Sequence, residues 1–94
     1  MATATTRFPL GRIVATPRAL AALGTYPQEA YTFLLRHQSG DWGDVDAADQ
    51  RENELSVDLG YRILGAYTTR TSARVWVITE ADRSATTLLL PEDY

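Results

Sequence analysis

The feature that most constrains the fold is a pair of β-rich segments separated by a short polar turn. β-branched and aromatic residues crowd segments 73–80 and 85–90, and residues 81–84 between them read Ala-Asp-Arg-Ser. This pattern is typical of a β-hairpin. In the first segment both the odd and the even positions are apolar, which favours a central strand over an edge strand. A third strand is predicted directly upstream, at 61–68, so the last third of the chain should form three antiparallel strands.

Helical segments precede these strands, and capping residues, prolines and glycines mark their ends. The predicted helices run from Thr16 or Pro17 to Gly24, from Pro27 to Gly40, and from Asp46 to Gly60. In the second helix, Tyr31 and Leu35 should widen the apolar face around Phe33. In the third, Leu55 and Leu59 should form a narrow apolar stripe on an otherwise polar surface helix.

A short strand is also predicted at residues 10–15, before the first helix, although its place in the sheet stays open. The order strand, three helices, three strands predicts an α+β fold. We expect a mostly antiparallel sheet of three to four strands, with about three short helices packed on one face.

Length and composition exclude several classes of protein. With 94 residues the chain should form a single domain, 1–94, and residues 1–6 should be a disordered tail. The sequence has no cysteine, which excludes disulfides and thiolate metal sites. It has neither an apolar run of the ~20 residues that cross a membrane nor the apolar core of a signal peptide. A cytoplasmic protein without a membrane partner is therefore predicted.

The charged residues are unevenly distributed. The net charge is −3, which argues against a nucleic-acid partner, and all nine basic residues are arginines. The acidic residues concentrate in the segment 41–58, which contains Asp41, Asp44, Asp46, Asp49, Glu52, Glu54 and Asp58. This segment is either a solvated helix face or a mimic of the phosphate spacing of DNA.

Three stretches of the sequence resemble a known family. Residues 8–17 read Phe-Pro-Leu-Gly-Arg-Ile-Val-Ala-Thr-Pro, residues 36–44 read Arg-His-Gln-Ser-Gly-Asp-Trp-Gly-Asp, and residues 76–84 read Trp-Val-Ile-Thr-Glu-Ala-Asp-Arg-Ser. Together with the ending at 86–94, they resemble small bacterial proteins of plasmids and integrated conjugative elements, often labelled plasmid-related. The resemblance covers nearly the whole chain from Phe8. It implies a mobile-element setting and supplies no site residues.

One constellation suggests metal or acid–base chemistry. His37, Asp41 and Asp44 lie close in sequence, and oxygen-rich ligand sets suit magnesium or calcium. With Glu80 and Asp82 they could form a metal-assisted hydrolase or nuclease, provided that the loop after the second helix meets the last hairpin in a cleft. The alternative is structural: His37 caps the helix end, and the aspartates bond loop amides.

Two further positions have competing interpretations. Trp42 is either an exposed aromatic anchor of a protein interface or a plug whose indole N–H binds a carbonyl in the core. The turn residues Glu80, Asp82 and Arg83 could bind an ion. They could equally form a local ion pair and an Asp-type turn.

The favoured hypothesis is a small non-enzymatic protein of mobile genetic elements that binds another protein and modulates a host or defence system. Its predicted interaction surface comprises Arg36, His37, Asp41, Trp42, Asp44, Glu80, Asp82 and Arg83. No catalytic residue, metal ligand or cofactor is predicted for it. The alternatives are the metal-assisted hydrolase and a nucleic-acid binder. The binder would use arginines on one sheet face, namely Arg12, Arg62, Arg70, Arg74 and Arg83.

Overall fold

A computed structural model describes residues 6–24 and 26–94, so most of the predicted tail at 1–6 lies outside the described residues. The strands are β1 (Arg12–Ala15), β2 (Ile63–Thr68), β3 (Arg74–Thr79) and β4 (Ala85–Leu89). The helices are α1 (Pro17–Leu23), α2 (Pro27–Ser39) and α3 (Ala47–Leu59), and a short 3₁₀ helix follows β4 at Pro91–Asp93. No helix in this described part is long and apolar enough to span a bilayer.

Local capping chemistry sets the helix boundaries. The Thr16 hydroxyl oxygen accepts the backbone N–H of Ala19 at 3.1 Å, and the Asp46 carboxylate accepts that of Asp49 at 2.8 Å. Both bonds satisfy N–H groups that a helix start leaves without a partner. Gly60 ends α3 in the left-handed conformation, with φ at 80°. The predicted boundaries of α1 and α3 are therefore confirmed.

The strands form one four-stranded sheet in the order β1-β4-β3-β2. β3 pairs antiparallel with both β2 and β4, whereas β1 pairs parallel with β4. The hairpin between β3 and β4 and the α+β class are confirmed. The sequence left the position of β1 open, and the structure places it on the outer side of β4. The chain between β1 and β2 forms all three α-helices.

The main core lies on the sheet face that α1 and α2 cover. Phe33 of α2 stacks on Tyr67 of β2, with ring centroids 5.0 Å apart. A Cβ on Gly65 would lie 2.6 Å from the Tyr67 hydroxyl and 2.9 Å from Nδ1 of His37. Gly65 thus permits the close approach of Tyr67 and His37 to the strand. Trp76 lies on the opposite face, where it packs edge-on against Tyr94.

Hydrogen bonds from outside the sheet close the outer edge of β2. The Asn53 side chain of α3 donates to the carbonyl of Leu64 at 2.8 Å and accepts its backbone N–H at 3.2 Å. Further along the strand, Ala66 donates its N–H to the Trp42 carbonyl and accepts the N–H of Asp44. The loop before α3 and the Asn53 side chain therefore supply the hydrogen bonds that a fifth strand would otherwise make to β2.

This docking places the polar side of α3 against the sheet. Asn53 and Ser56 are buried against the sheet, whereas the side chains of Leu55 and Leu59 are 54% and 60% exposed. The predicted apolar stripe exists, but it faces outward, because the β2 edge needs polar partners. Tyr31 and Leu35 of α2 are likewise exposed, so the expectation that they widen the buried face is wrong.

We expect the Asn53→Ala variant to lower the free energy of unfolding by about 2 kcal/mol, because it leaves two backbone groups of Leu64 without partners. The measurement is urea unfolding followed by circular dichroism. Glu52→Ala, one residue away on the exposed side of α3, is the matched control and should change stability little. Equal effects of the two substitutions would contradict this role of Asn53.

Candidate functional site

The structure does not bring the eight residues of the predicted surface together. His37 and Trp42 lie in the interior. Arg36, Asp41 and Asp44 lie near the C-terminal end of β2, beside Tyr67 and Thr68. The residues of the β3–β4 turn lie beyond the other end of that strand, where Ile63 pairs with Thr79.

His37 is fully buried and belongs to a chain of hydrogen bonds in the core. Its Nε2 lies 3.0 Å from the Thr79 hydroxyl, which lies 2.7 Å from that of Thr86, and Thr86 donates to the Leu10 carbonyl at 2.7 Å. Because Thr86 donates to the carbonyl, Thr79 must donate to Thr86, and His37 must donate through Nε2. Nδ1 is then a bare acceptor, and it has no hydrogen-bond partner among the described residues.

Burial also determines the charge of His37. Desolvation, with a smaller effect of the positive charge on Arg83, lowers the pKa of the imidazole from 6.5 to about 4. The rings of Phe8 and Trp42 meet it edge-on at 5.4 and 5.6 Å. His37 is therefore neutral at physiological pH. It neither caps the helix end nor lies on a surface, so its place in the predicted interaction surface is wrong.

Trp42 is a core residue as well, which corrects its place in the predicted surface. Its ring packs against Phe8, and its indole N–H donates to the Glu54 carboxylate at 3.1 Å instead of to the expected carbonyl. Arg7 holds the same carboxylate through two bonds of 2.9 Å, and this pairing lowers the pKa of Glu54. The pair ties the segment before β1 to α3 above the tryptophan.

Arg36 and Asp41 form a partly exposed ion pair at the end of α2. Arg36 Nε lies 2.7 Å from the Asp41 carboxylate, and the guanidinium sits 5.0 Å from the centroid of the Tyr67 ring. The hydrogen bond from Arg36 holds the pKa of Asp41 below its ordinary value. Asp44 accepts the hydroxyl of Thr68 at 2.9 Å. These contacts tie the loop to β2, and they engage both carboxylates.

The turn between β3 and β4 is also held by internal bonds. The Asp82 carboxylate accepts the Ser84 N–H at 3.0 Å, which confirms the Asp-type turn. Arg83 donates to the carbonyls of Tyr61 and Ser56, each at 2.7 Å, rather than to a carboxylate. The alternative of a local ion pair at this turn is therefore wrong for Arg83. Its guanidinium instead connects the hairpin to the end of α3.

The metal-site alternative fails on distance. Thr68, which holds Asp44, is five residues along β2 from Ile63, the partner of Thr79 at the hairpin end, so the two ends are roughly 16 Å apart at ~3.3 Å per residue. Within residues 6–24 and 26–94, no group of three or more histidine, aspartate or glutamate side chains is placed to hold a metal ion. His37, Asp41, Asp44, Glu80 and Asp82 do not share a cleft.

The arginines of the nucleic-acid alternative do not line one sheet face either. Arg70 lies 3.9 Å from the centroid of the Tyr26 ring and bonds Glu29 of α2, and Arg83 points toward Phe8 on the helix-covered side. Arg62 binds the Tyr94 hydroxyl at 2.6 Å. Arg70 and Arg83 therefore lie apart from the sheet face that the strand register gives to Arg12 and Arg74, so the five side chains do not share one face.

The outward side of α3 is the candidate surface that the sequence interpretation missed. Its apolar members are Ala48, Leu55 and Leu59, hereafter the α3 stripe, and all three are exposed. Charged residues lie on both flanks of the α3 stripe, namely Arg51, Glu52 and Asp58. One feature of the sequence could have indicated this orientation. Asn53 and Ser56 lie three residues apart on the other side of the helix, and such polar side chains can hydrogen-bond the backbone of an unpaired strand edge.

Comparisons of the chain with family models, with curated proteins and with solved structures each returned no match.

Histidine burial makes stability depend on pH. The pKa of His37 is about 4 in the folded protein and 6.5 in the unfolded chain. Between these two pH values the unfolded chain therefore binds more protons than the folded protein. Stability from neutral His37 is complete above pH 6.5 and falls as the pH drops toward 4. Linkage predicts a loss of about 2 kcal/mol in unfolding free energy between about pH 7 and pH 5.

The chain has a single histidine, so NMR titration of its ring protons reports this pKa without assignment. Urea unfolding at the same pH values measures the loss of stability, and His37→Gln, which cannot titrate, should lack that loss. An imidazole that titrates near its ordinary pKa in the folded protein would contradict the prediction.

Proposed function

We propose that this chain is a small, non-catalytic protein-binding module and that the α3 stripe contacts its partner. The observation behind the proposal is the orientation of α3, which buries Asn53 and Ser56 and leaves Leu55 and Leu59 more than half exposed. An amphipathic helix normally buries its leucines. A helix that holds them outward has an apolar face available to another molecule.

The composition of α3 indicates the chemistry of the partner. The helix contains four acidic residues and one basic residue, and the acidic Glu52 and Asp58 border the α3 stripe. An apolar helix face inserts into an apolar groove, as in other helix-in-groove complexes. The partner is accordingly a protein with a hydrophobic groove and a positively charged rim, and its association should weaken with salt.

The biological role follows from the resemblance to plasmid and conjugative-element proteins. A small acidic binder encoded on such an element would act by occupying a groove on a host protein or on a component of a competing defence system. Inhibition or retargeting of that partner requires binding alone and no chemistry of its own.

We expect the double variant Leu55→Gln/Leu59→Gln to lose the partner while it keeps the fold. Both side chains are exposed, and glutamine has a helix propensity close to that of leucine, so stability should change by less than about 1 kcal/mol. The measurement is affinity capture from a plasmid-bearing bacterial host, quantified by mass spectrometry. Circular dichroism checks that the double variant is folded.

Leu35→Gln is the matched control, because Leu35 is an exposed leucine on the outer side of another helix. The proposal predicts one protein that the wild type and Leu35→Gln retain, that the double variant loses, and that high salt releases. Equal retention by all three forms, or no specific protein with any of them, would refute the α3 stripe as a binding face.

A further inference from the structure

The two edges of the sheet differ in how their backbone groups are satisfied. Asn53 and the loop before α3 cover the β2 edge, but no described residue pairs with the outer edge of β1. The N–H groups of Arg12 and Thr16 donate inward to Ser84 and Leu88. Since strand residues alternate, the N–H and C=O groups of Ile13 and Ala15 point outward.

The side chains at this edge provide little protection beyond Arg12 at the start of the four-residue strand. Natural edge strands carry lysine, proline or inward-pointing charges that discourage pairing with another chain. β1 contains Ile13 and Val14, which are 47% and 39% exposed, and α1 directly after it exposes Leu20. The nearest prolines, Pro9 and Pro17, both lie outside β1.

We propose that the β1 edge binds a second copy of this chain, antiparallel and about a two-fold axis at Val14. In this register Ile13 of each copy faces Ala15 of the other. Their outward N–H and C=O groups then form four hydrogen bonds across the interface. The two Val14 residues face each other as a non-hydrogen-bonded pair, with Cα atoms about 4.5 Å apart.

Charge complementarity supports a second copy over an unrelated strand. The register places Arg12 opposite Thr16 of the other copy, with both side chains on the same sheet face. The Thr16 hydroxyl donates to the Asp93 carboxylate at 2.7 Å, and Arg18 of the same chain lies 3.7 Å from that carboxylate, so Arg12 of the other copy would be a second arginine beside it. The two-fold axis creates this contact twice.

The resulting assembly is sterically consistent with the fold. A two-fold axis perpendicular to a continuous antiparallel sheet keeps both helical layers on the same face, so α1 and α2 of each copy stay over their own strands. The new sheet has eight strands in the order β2-β3-β4-β1-β1-β4-β3-β2. The interface is short, so the dimer should be weak and dependent on concentration.

Cysteine cross-linking tests the register directly, because the wild-type chain contains no cysteine. A Val14→Cys variant should form a disulfide-linked dimer under mild oxidation, since its Cα separation falls within the ~4.4–6.8 Å that a disulfide requires. In Arg12→Cys, on the same strand and face, the two thiols would be roughly 13 Å apart at ~3.3 Å per residue, so this variant should stay largely monomeric.

Sedimentation of the wild type over a concentration series should show a monomer–dimer equilibrium that Ile13→Pro abolishes. Proline at this position removes only an outward N–H and leaves the ladder to β4 intact. Ile13→Lys is a second variant in case proline disturbs the strand. Equal cross-linking of the two cysteine variants, or a wild-type monomer at every concentration, would overturn the proposal. Leu55→Gln/Leu59→Gln should dimerise normally, so this inference and the proposed function can fail separately.

Discussion

The hydrogen-bonding demand of the β2 edge determines how the rest of the molecule is arranged. Buried backbone groups without partners are costly, and β2 has no neighbouring strand on its outer side. Asn53 satisfies Leu64, and the peptide groups around Gly43 satisfy Ala66. To reach the edge, α3 must present its polar side to the sheet, so its leucines must face outward. The exposed α3 stripe is a direct consequence of this bonding.

The same edge explains why the loop before α3 contains a buried tryptophan. The backbone of Trp42 pairs with Ala66, while its side chain enters the cluster with Phe8 and Ile63. Glu54, one residue beyond Asn53 on α3, accepts the indole N–H and also pairs with Arg7. Edge closure, the small second core and the attachment of the N-terminal segment are therefore one connected structure.

Sequence reasoning identified the features that short-range chemistry sets. The caps at Thr16 and Asp46, the stop at Gly60 and the Asp82 turn depend on residues within a few positions of one another, and each was predicted. The misassigned features depend on partners far away in sequence. Helical periodicity shows that Leu55 and Leu59 share a side, but not whether that side faces the sheet.

His37 illustrates the same limit. Its proximity to Asp41 and Asp44 in sequence suggested a surface site, yet its partner is Thr79, 42 residues away. Thr79 and Thr86 form a cross-strand pair on the inner sheet face, and His37 donates a hydrogen bond to this pair instead of binding a metal ion. No local pattern distinguishes the two, because the acceptor belongs to a hairpin whose position depends on the whole fold.

The strand order links the two proposed surfaces. β1 and β2 are the opposite edges of the sheet, so pairing through β1 leaves both copies of α3 at the far ends of the assembly. Seven strand spacings of ~4.8 Å separate the outermost strands, which is roughly 34 Å before twist is considered. A dimer would thus display two acidic, leucine-bearing helices without obstructing either. Even a weak dimer could then bind a paired or repetitive partner more tightly, because the second contact forms at high effective concentration. The closed β2 edge thus leaves the α3 stripe exposed, and pairing through the open β1 edge would place two such helices in one assembly.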